Sequence, residues 1–296
     1  MRLLVTGAHG QVALSLKERG AGRSDISLMF ASRPQTDLSV PGSVAAAIRD
    51  ASPDMVVNAA AFTNVDLAEA EREHAWRINA EAAGEVAAAA ADVDAAIIQL
   101  STDYVFDGTR GRPWREDDAI RPLNVYGTSK AAGEDMVRRA NPRHLIIRTS
   151  WVVSPFGRNF AKTIVEAARS RDVLRVVDDQ RGRPTSALDL ADAILAMADG
   201  VGTGAVNLGQ TYHVAGAGAA SWFELASEIM DECRRAGAPS AGVVPVTSAE
   251  WPTAALRPRN SVLDCSRFEA DFGTRLPGWR ISVRNIVSRL LAGHAE

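Results

Sequence analysis

Lysine is nearly absent from this chain. Of 33 basic residues only Lys17, Lys130 and Lys162 are lysines. A chain that writes arginine almost everywhere keeps lysine where a compact, strongly hydrated charge differs most from a planar guanidinium fork. Cysteine is scarce as well. Cys233 and Cys265 are too few for a disulfide framework, and their spacing is no metal motif; each reads as a small buried hydrophobe. The five histidines are scattered and form no ligand cluster. No long apolar run is present: the alanine-rich stretch at 84–100 is broken by Glu85, Asp92 and Asp94, too polar to span a bilayer. Neither charge dominates. A formal net charge of -3 and a pI near 6.0, with acids and bases interspersed, leave no electrostatic footprint for nucleic acid. Met1–Gly7 runs straight into a strand and a glycine loop, leaving no room for a signal peptide. The expectation is a soluble, cytoplasmic protein with no membrane partner.

What is present is an alternation. Apolar runs at 3–6, 27–31, 55–59, 96–100 and 144–148 read as strands, and helical patterns fall at 11–19, 43–50, 68–91 (two patterns) and 129–140. Continuous apolar strands separated by helices predict an α/β fold, a doubly wound parallel sheet covered on both faces. After about residue 150 glycine and proline become denser. Ser221-Trp-Phe-Glu224 then opens a helix, reaching to about Gly237, with a capping-box pattern. The domain expectation is a dinucleotide-binding unit at 1–150, to which 176–215 returns, and a smaller substrate-binding lobe at 151–296.

The most informative stretch is Tyr126-Gly-Thr-Ser-Lys130. Residues four apart share a helix face, and a cation beside a phenol lowers its pKa from about 10 toward neutrality. Such a pair is a proton donor; by itself it also arises by chance on exposed helices. Gly7-Ala-His-Gly10-Gln11-Val12 follows the first strand and opens the first helix, as a pyrophosphate-binding loop does. Ala13 stands where a third glycine is usual and is small enough for close packing. The acid that reads a ribose at the end of the second strand is missing. Arg33 is there instead, which suits a 2′-phosphate and favours NADPH, with NADH as the alternative. Asp37 and Leu38 follow, where they can flank an adenine. Ser101-Thr102 ends the fourth strand, where ligands of such sheets bind, and its hydroxyl completes a Thr102–Tyr126–Lys130 trio.

Together these stretches resemble the extended short-chain dehydrogenase/reductases, and within them the dTDP-4-dehydrorhamnose reductases. The resemblance runs through Thr6–Val12, Asn58–Glu71, Ser101–Gly108, Pro122–Glu134, Arg148–Val152, Gly157–Phe160, Asp178–Ser186 and Arg257–Asp264, in order along the chain. It implies reduction of the C4 keto group of a nucleotide-linked 6-deoxy-4-hexulose by NADPH. It implies that Thr102 binds the carbonyl, that Tyr126 donates the proton, and that Lys130 holds the nicotinamide ribose. Gly7, Gly10, Gln11 and Val12 would line the pyrophosphate; Ala59, Ala60 and Ala61 would pass beneath the cofactor, with Asn79 behind it. Thr63, Val65, Asp103, Tyr104 and Trp151 would face the sugar or its nucleotide, Asn159 the diphosphate, and Arg257 and Asn260 the nucleotide end. Phe62 and Val153 depart from the family's usual tyrosines. Ser15 stands where an acid would help hold a metal, so no metal is expected. Relatives are usually dimers, which brings a homodimer into consideration without a legible interface.

Trp222 and Phe223 read as core, Met230 and Cys233 as packing, and Arg181 and Arg183 as phosphate-binding, solvated or interface groups. Two other readings stand beside reduction: a sugar-nucleotide epimerase or dehydratase, and a non-catalytic NADP-binding regulatory subunit. Asp103-Tyr104 replaces the Asp-Glu pair that a dehydratase carries after its threonine.

Overall fold

The computed structural model describes residues 1–293. Five strands, β1 (Arg2–Thr6), β2 (Ser27–Ala31), β3 (Met55–Asn58), β4 (Ala96–Thr102) and β5 (His144–Thr149), form a sheet with the later strand Gln210–His213. The order is Gln210–His213, β5, β4, β3, β1, β2, and every pairing is parallel. The expected doubly wound Rossmann-type fold is therefore present. All four residues of β3 and all six of β5 are buried. Two-sided burial is why these strands read as unbroken apolar runs.

One face of the sheet is covered by the helices Gln11–Gly20 and Ala187–Gly202, around Leu3, Val5, Leu16, Ile98 and Ile194. The other is covered by Ser43–Ala51, Ala82–Asp92 and Val125–Ala140, around Leu4, Ile48, Val56, Val86 and Val137. A separate apolar cluster lies in the C-terminal half. There the helices Phe160–Ala167, Trp222–Arg235 and Trp279–Ala292 pack around Ile164, Ile229 and Val287, beside a two-stranded parallel ribbon of Val173–Val177 with Gly242–Val246. The Ser221 capping box is closed at both ends: Glu224 N–H donates to Ser221 Oγ at 3.1 Å, and Ser221 N–H donates to the Glu224 carboxylate at 2.7 Å.

Two boundaries differ from the sequence reading in ways that matter. The helix expected from Ser129 begins at Val125, because Asn124 caps it: Gly127 N–H donates to Asn124 Oδ1 at 2.7 Å. Tyr126 is thus inside the first turn. The double helical pattern at 68–91 resolves into Val65–Ala70, Arg72–Trp76, a π-helical turn Arg77–Glu81, and Ala82–Asp92. A π turn shifts side chains out of the 3.6-residue register, and here that turn carries Asn79.

The helix Val125–Ala140 lies against this π turn backbone to backbone. A Cβ at Gly133 would sit 2.1 Å from the Asn79 carbonyl oxygen. Gly133→Ala should therefore destabilise the protein by about 1–3 kcal/mol, the usual cost of overpacking. The drop in midpoint on urea unfolding measures it.

Candidate active site

The carboxyl ends of the strands open into a cleft of about 690 Å³. At its floor β1 turns into the first helix. Gly7 has φ of +78°, a left-handed conformation that side chains rarely adopt, and a Cβ there would lie 3.0 Å from Ala60 Cβ. Gly10 is the N-cap of the helix Gln11–Gly20, and no side chain caps the first-turn amides. Open N–H groups and the positive end of the helix dipole make this an anion cradle. A buried chain of side chains braces the floor. Thr6 Oγ donates to Asn58 Oδ1 (2.6 Å), and Asn58 Nδ2 donates to Gln99 Oε1 (2.7 Å).

Gly7, Gly10, Gln11, Val12, Arg33, Asp37, Leu38, Ala59, Ala60, Ala61, Thr63, Tyr126 and Lys130 all line this cleft. Asn79 stands behind it. Its side chain accepts from Phe62 N–H (2.8 Å) and donates to Phe62 O (3.0 Å) and Ser129 Oγ (3.0 Å), fixing the Ala59–Thr63 loop to the helix Val125–Ala140. At the rim near Arg33, Ser39 N–H and Oγ both donate to Asp37. The cleft also has a buried orphan: Thr149 Oγ1, at the end of β5, has no hydrogen-bond partner among the described residues. A glycine cradle, open helix amides and an unpartnered buried hydroxyl together fit a dinucleotide.

Thr102, Asp103 and Tyr104 lie at the end of β4 and are buried. Thr102 Oγ1 donates to Asp103 Oδ1 and accepts from Tyr104 N–H, each at 3.1 Å, and its hydroxyl lies near enough to the Tyr126 phenol to favour the phenolate. The Tyr104 and Tyr126 rings meet edge to face, 6.0 Å apart. Burial foremost pushes the Tyr126 phenol up to about 12, the Thr102 hydrogen bond opposes this, and the Asp103 charge adds to it. This corrects the expectation of a lowered phenol pKa. Lys130 sits four residues on, but its Nζ donates to Leu100 O at 2.6 Å rather than lying against the phenol. Burial brings Lys130 down to about 8, with the Glu134 charge opposing.

Asp103 is held by Thr102 Oγ and Ser150 Oγ, each at 3.1 Å, with Ser261 as a further neighbour. Burial outweighs these bonds and raises its carboxyl to about 6. Tyr104 is pushed up by burial, and Arg257 acts on its hydroxyl. Arg257 is itself paired with Asp66 through both terminal nitrogens (3.1 and 2.7 Å).

The remaining sequence candidates are placed less simply. Val65 opens the helix beside Thr63. Trp151, at φ +48°, stacks on Trp222 with ring centroids 3.6 Å apart, on the apolar cluster of the C-terminal half. Trp222, read as core, is thus the partner of a site candidate. Asn159 caps the helix Phe160–Ala167 and donates to Ser154 O and Phe156 O. Asn260 donates to Arg110 O and Arg112 O and accepts from Val262 N–H. Both asparagines spend their side chains on the chain's own backbone, because each supports a turn. Arg183, left open between three roles, is buried and donates to Gly216 O and Leu263 O. Cleft-lining residues that the sequence reading did not name as candidates include Thr149, His74 and Arg158. Arg158 adjoins Asn159 in a stretch already singled out, so its charge was a usable signal; His74 carried none. Among the described residues no group of three or more His, Cys, Asp or Glu side chains gathers as a metal site would need.

The RmlD substrate binding domain model matches residues 1–292. A dTDP-4-dehydrorhamnose reductase of Sinorhizobium fredii is 43% identical, covering 98% of this chain and 98% of its own. The crystal structure of a dTDP-4-dehydrorhamnose reductase from Clostridium acetobutylicum superposes with a TM-score of 0.90 at 34% identity, over 98% of this chain and 100% of that one. That of the Bacillus anthracis dTDP-4-dehydrorhamnose reductase, in complex with NADP, gives 0.88 at 33% identity over 96% and 98%.

The raised Asp103 carboxyl has a thermodynamic consequence. A carboxyl whose folded pKa lies above its unfolded value contributes stability that is present at low pH and lost as pH rises through the folded value. Here the loss runs from the ordinary value of about 4 to about 6. Asp103→Asn should remove it, so the variant gains about 2 kcal/mol on wild type between pH 4.5 and 7.5. Urea unfolding at both pH values reads this out.

Proposed function

The chain belongs to the RmlD substrate binding domain family, and on that premise we propose that it reduces the C4 keto group of dTDP-4-dehydro-L-rhamnose to give dTDP-L-rhamnose, using NADPH. The supporting observation is Tyr126 and Lys130 lining one cleft a helical turn apart, with the buried Thr102 hydroxyl at the end of β4 beside the Tyr126 phenol.

NADPH supplies a hydride to the carbonyl carbon. Gly7, Gly10, Gln11 and Val12 would hold its pyrophosphate at the helix N-terminus, Arg33 would meet the 2′-phosphate, and Asp37 and Leu38 would border the adenine. Ala59, Ala60 and Ala61 lie below, on a loop that Asn79 fixes. Lys130, whose Nζ donates to Leu100 O, lines the cleft one turn from Tyr126 and would hold the ribose hydroxyls of the bound cofactor. Thr102 and Tyr126 hydrogen-bond the carbonyl oxygen where negative charge develops, and Tyr126 gives that oxygen its proton. A phenol pushed up to about 12 keeps its proton throughout the neutral range. Its proton passes to the carbonyl oxygen because that oxygen becomes strongly basic as negative charge develops on it, and the Lys130 charge favours the phenolate left behind. Thr63, Val65, Asp103, Tyr104, Trp151 and Arg257 surround the sugar nucleotide, and the turns held by Asn159 and Asn260 border it.

One observation weighs against a dehydratase. The position after Asp103 holds Tyr104, a phenol raised by burial and engaged with Arg257, where a carboxylate base would be needed. The complete Thr102, Tyr126 and Lys130 set weighs against a purely regulatory role. The proposal includes a cofactor-binding unit at 1–150 joined by 176–215, a substrate lobe in the remainder of 151–296, a homodimer, and a cytoplasmic setting. Among the described residues no helix is long and apolar enough to cross a membrane.

Oxidation of NADPH should require the keto sugar nucleotide, and Tyr126→Phe should lower kcat by about 10²–10⁴-fold. A Phe variant at wild-type rate would refute the acid assignment. Arg33→Ala should weaken NADPH binding by about tenfold and leave NADH binding unchanged, as fluorescence titration measures, since an exposed charge contact to phosphate contributes about 1–1.5 kcal/mol.

A further inference from the structure

Glu134 is fully buried, and nothing above assigns it a role. It lies four residues beyond Lys130 and eight beyond Tyr126, so the three share one face of the helix Val125–Ala140. Its carboxylate is saturated by hydrogen bonds from two strands and its own helix. Ser101 Oγ donates to Oε1 at 2.6 Å from β4. Arg148, on β5, donates from Nε to Oε1 at 2.9 Å and from its terminal nitrogen to Oε2 at 2.8 Å. Arg138, one turn further along the helix, donates to Oε2 at 2.8 Å. Ser101 immediately precedes Thr102. The carboxylate therefore joins the helix bearing the proton donor to the strand bearing the other carbonyl-binding hydroxyl. We propose that Glu134 is a positioning residue for the reduction: its buried carboxylate holds the Tyr126/Lys130 helix in register with Thr102 and sets the electrostatic environment of the Lys130 ammonium. This rests on the functional reading above.

A buried ion pair is a weak source of stability, because desolvation cancels most of the attraction and a well-packed apolar pair does as well or better. What the Glu134–Arg148 pair supplies is geometry. A two-point Arg fork fixes direction as well as distance. The fork is itself immobilised: Arg148 donates to Glu116 O and its guanidinium lies 5.2 Å from the centre of the Phe106 ring. The charged and titratable groups facing Glu134 are Arg138 on its own helix, Arg148 on β5 and His213 on the strand Gln210–His213. Glu116 adjoins that set, accepting from His213 N–H. Burial would raise the Glu134 carboxyl, but Arg148, Ser101 and Arg138 together hold it below the usual carboxylate range, so it stays charged. On the other side, Lys130 faces Leu100 O, and Glu134 is the charge that opposes its loss of a proton on burial.

The near-absence of lysine makes a direct test practical. Lysine-selective 13Cε labelling yields signals from Lys17, Lys130 and Lys162 only. In Glu134→Gln the Lys130 titration midpoint should fall by about one pH unit, the shift expected when an opposite charge within reach is removed. The alkaline limb of kcat/KM should move down with it. Glu134→Asp keeps the charge but withdraws it, so the midpoint should hold while kcat drops about tenfold at unchanged sugar-nucleotide KM, a misplacement effect. Ser101→Ala should lower kcat and leave the midpoint alone. A role in packing alone would lower the melting temperature of these variants while kcat and the Lys130 midpoint stayed at wild-type values, and that outcome overturns the proposal. Should Glu134→Gln fail to fold, the Asp and Ser101 variants carry the test, with wild-type kcat in both counting against it. The NMR midpoint is independent of substrate, so an inactive wild type would refute the functional reading and still leave the electrostatic claim measurable.

Discussion

The close approach of the helix Val125–Ala140 to its neighbours is the constraint on which the site depends. A Cβ at Gly127 would fall 2.2 Å from the Tyr104 carbonyl oxygen, and one at Gly133 would fall 2.1 Å from that of Asn79. Two glycines let one helix lie directly on the turn that follows β4 and on the π turn behind the cleft. Any side chain at either place would lift the helix and carry Tyr126 away from Thr102. Because interiors are packed at crystal density, such a shift has no slack to absorb it.

Polar bonding then converts contact into register. The Asn124 cap sets where the helix starts, and Glu69 accepts Val125 N–H at 2.8 Å at that same end. Asn79 ties the middle of the helix, through Ser129, to the loop that floors the cleft. Glu134 and Arg148 tie its far side to β4 and β5. None of these bonds contributes much net stability singly. Left unmade, each would strand a buried polar group, and that asymmetry makes the arrangement specific.

Much of this was legible in the linear chain. The strands β1 to β5 stand within two residues of their expected limits; β1, β3, β4 and β5 are buried along nearly all their length, and edge strand β2 is partly covered. The glycine loop was legible because strand, tight turn and helix are contiguous, as was the Tyr126–Lys130 pair, whose spacing is a local helical property. Harder to see were the true helix start at Val125, masked by Gly127, and the π turn at 77–81, which breaks the period that defines a helix in sequence. The backbone bonds of Asn159 and Asn260 were hidden for a related reason. An asparagine that caps a turn and one that meets a ligand look the same until the neighbouring carbonyls are placed.

Local chemistry settles which segments become strands and helices and which residue types reach the ends of the strands, because hydrophobic period, capping and turn preference act over a few residues. Charge states and partnerships were settled only by folding. The Tyr126 phenol goes up rather than down because burial outweighs the Thr102 hydroxyl and the Asp103 charge adds to burial, and Lys130 turns to the Leu100 carbonyl. Arg257 finds Asp66, and Trp151 finds Trp222, across distances in sequence that no local pattern spans. Desolvation and long-range contact exist only once the chain has closed around a side chain, so they leave no mark on the order of residues.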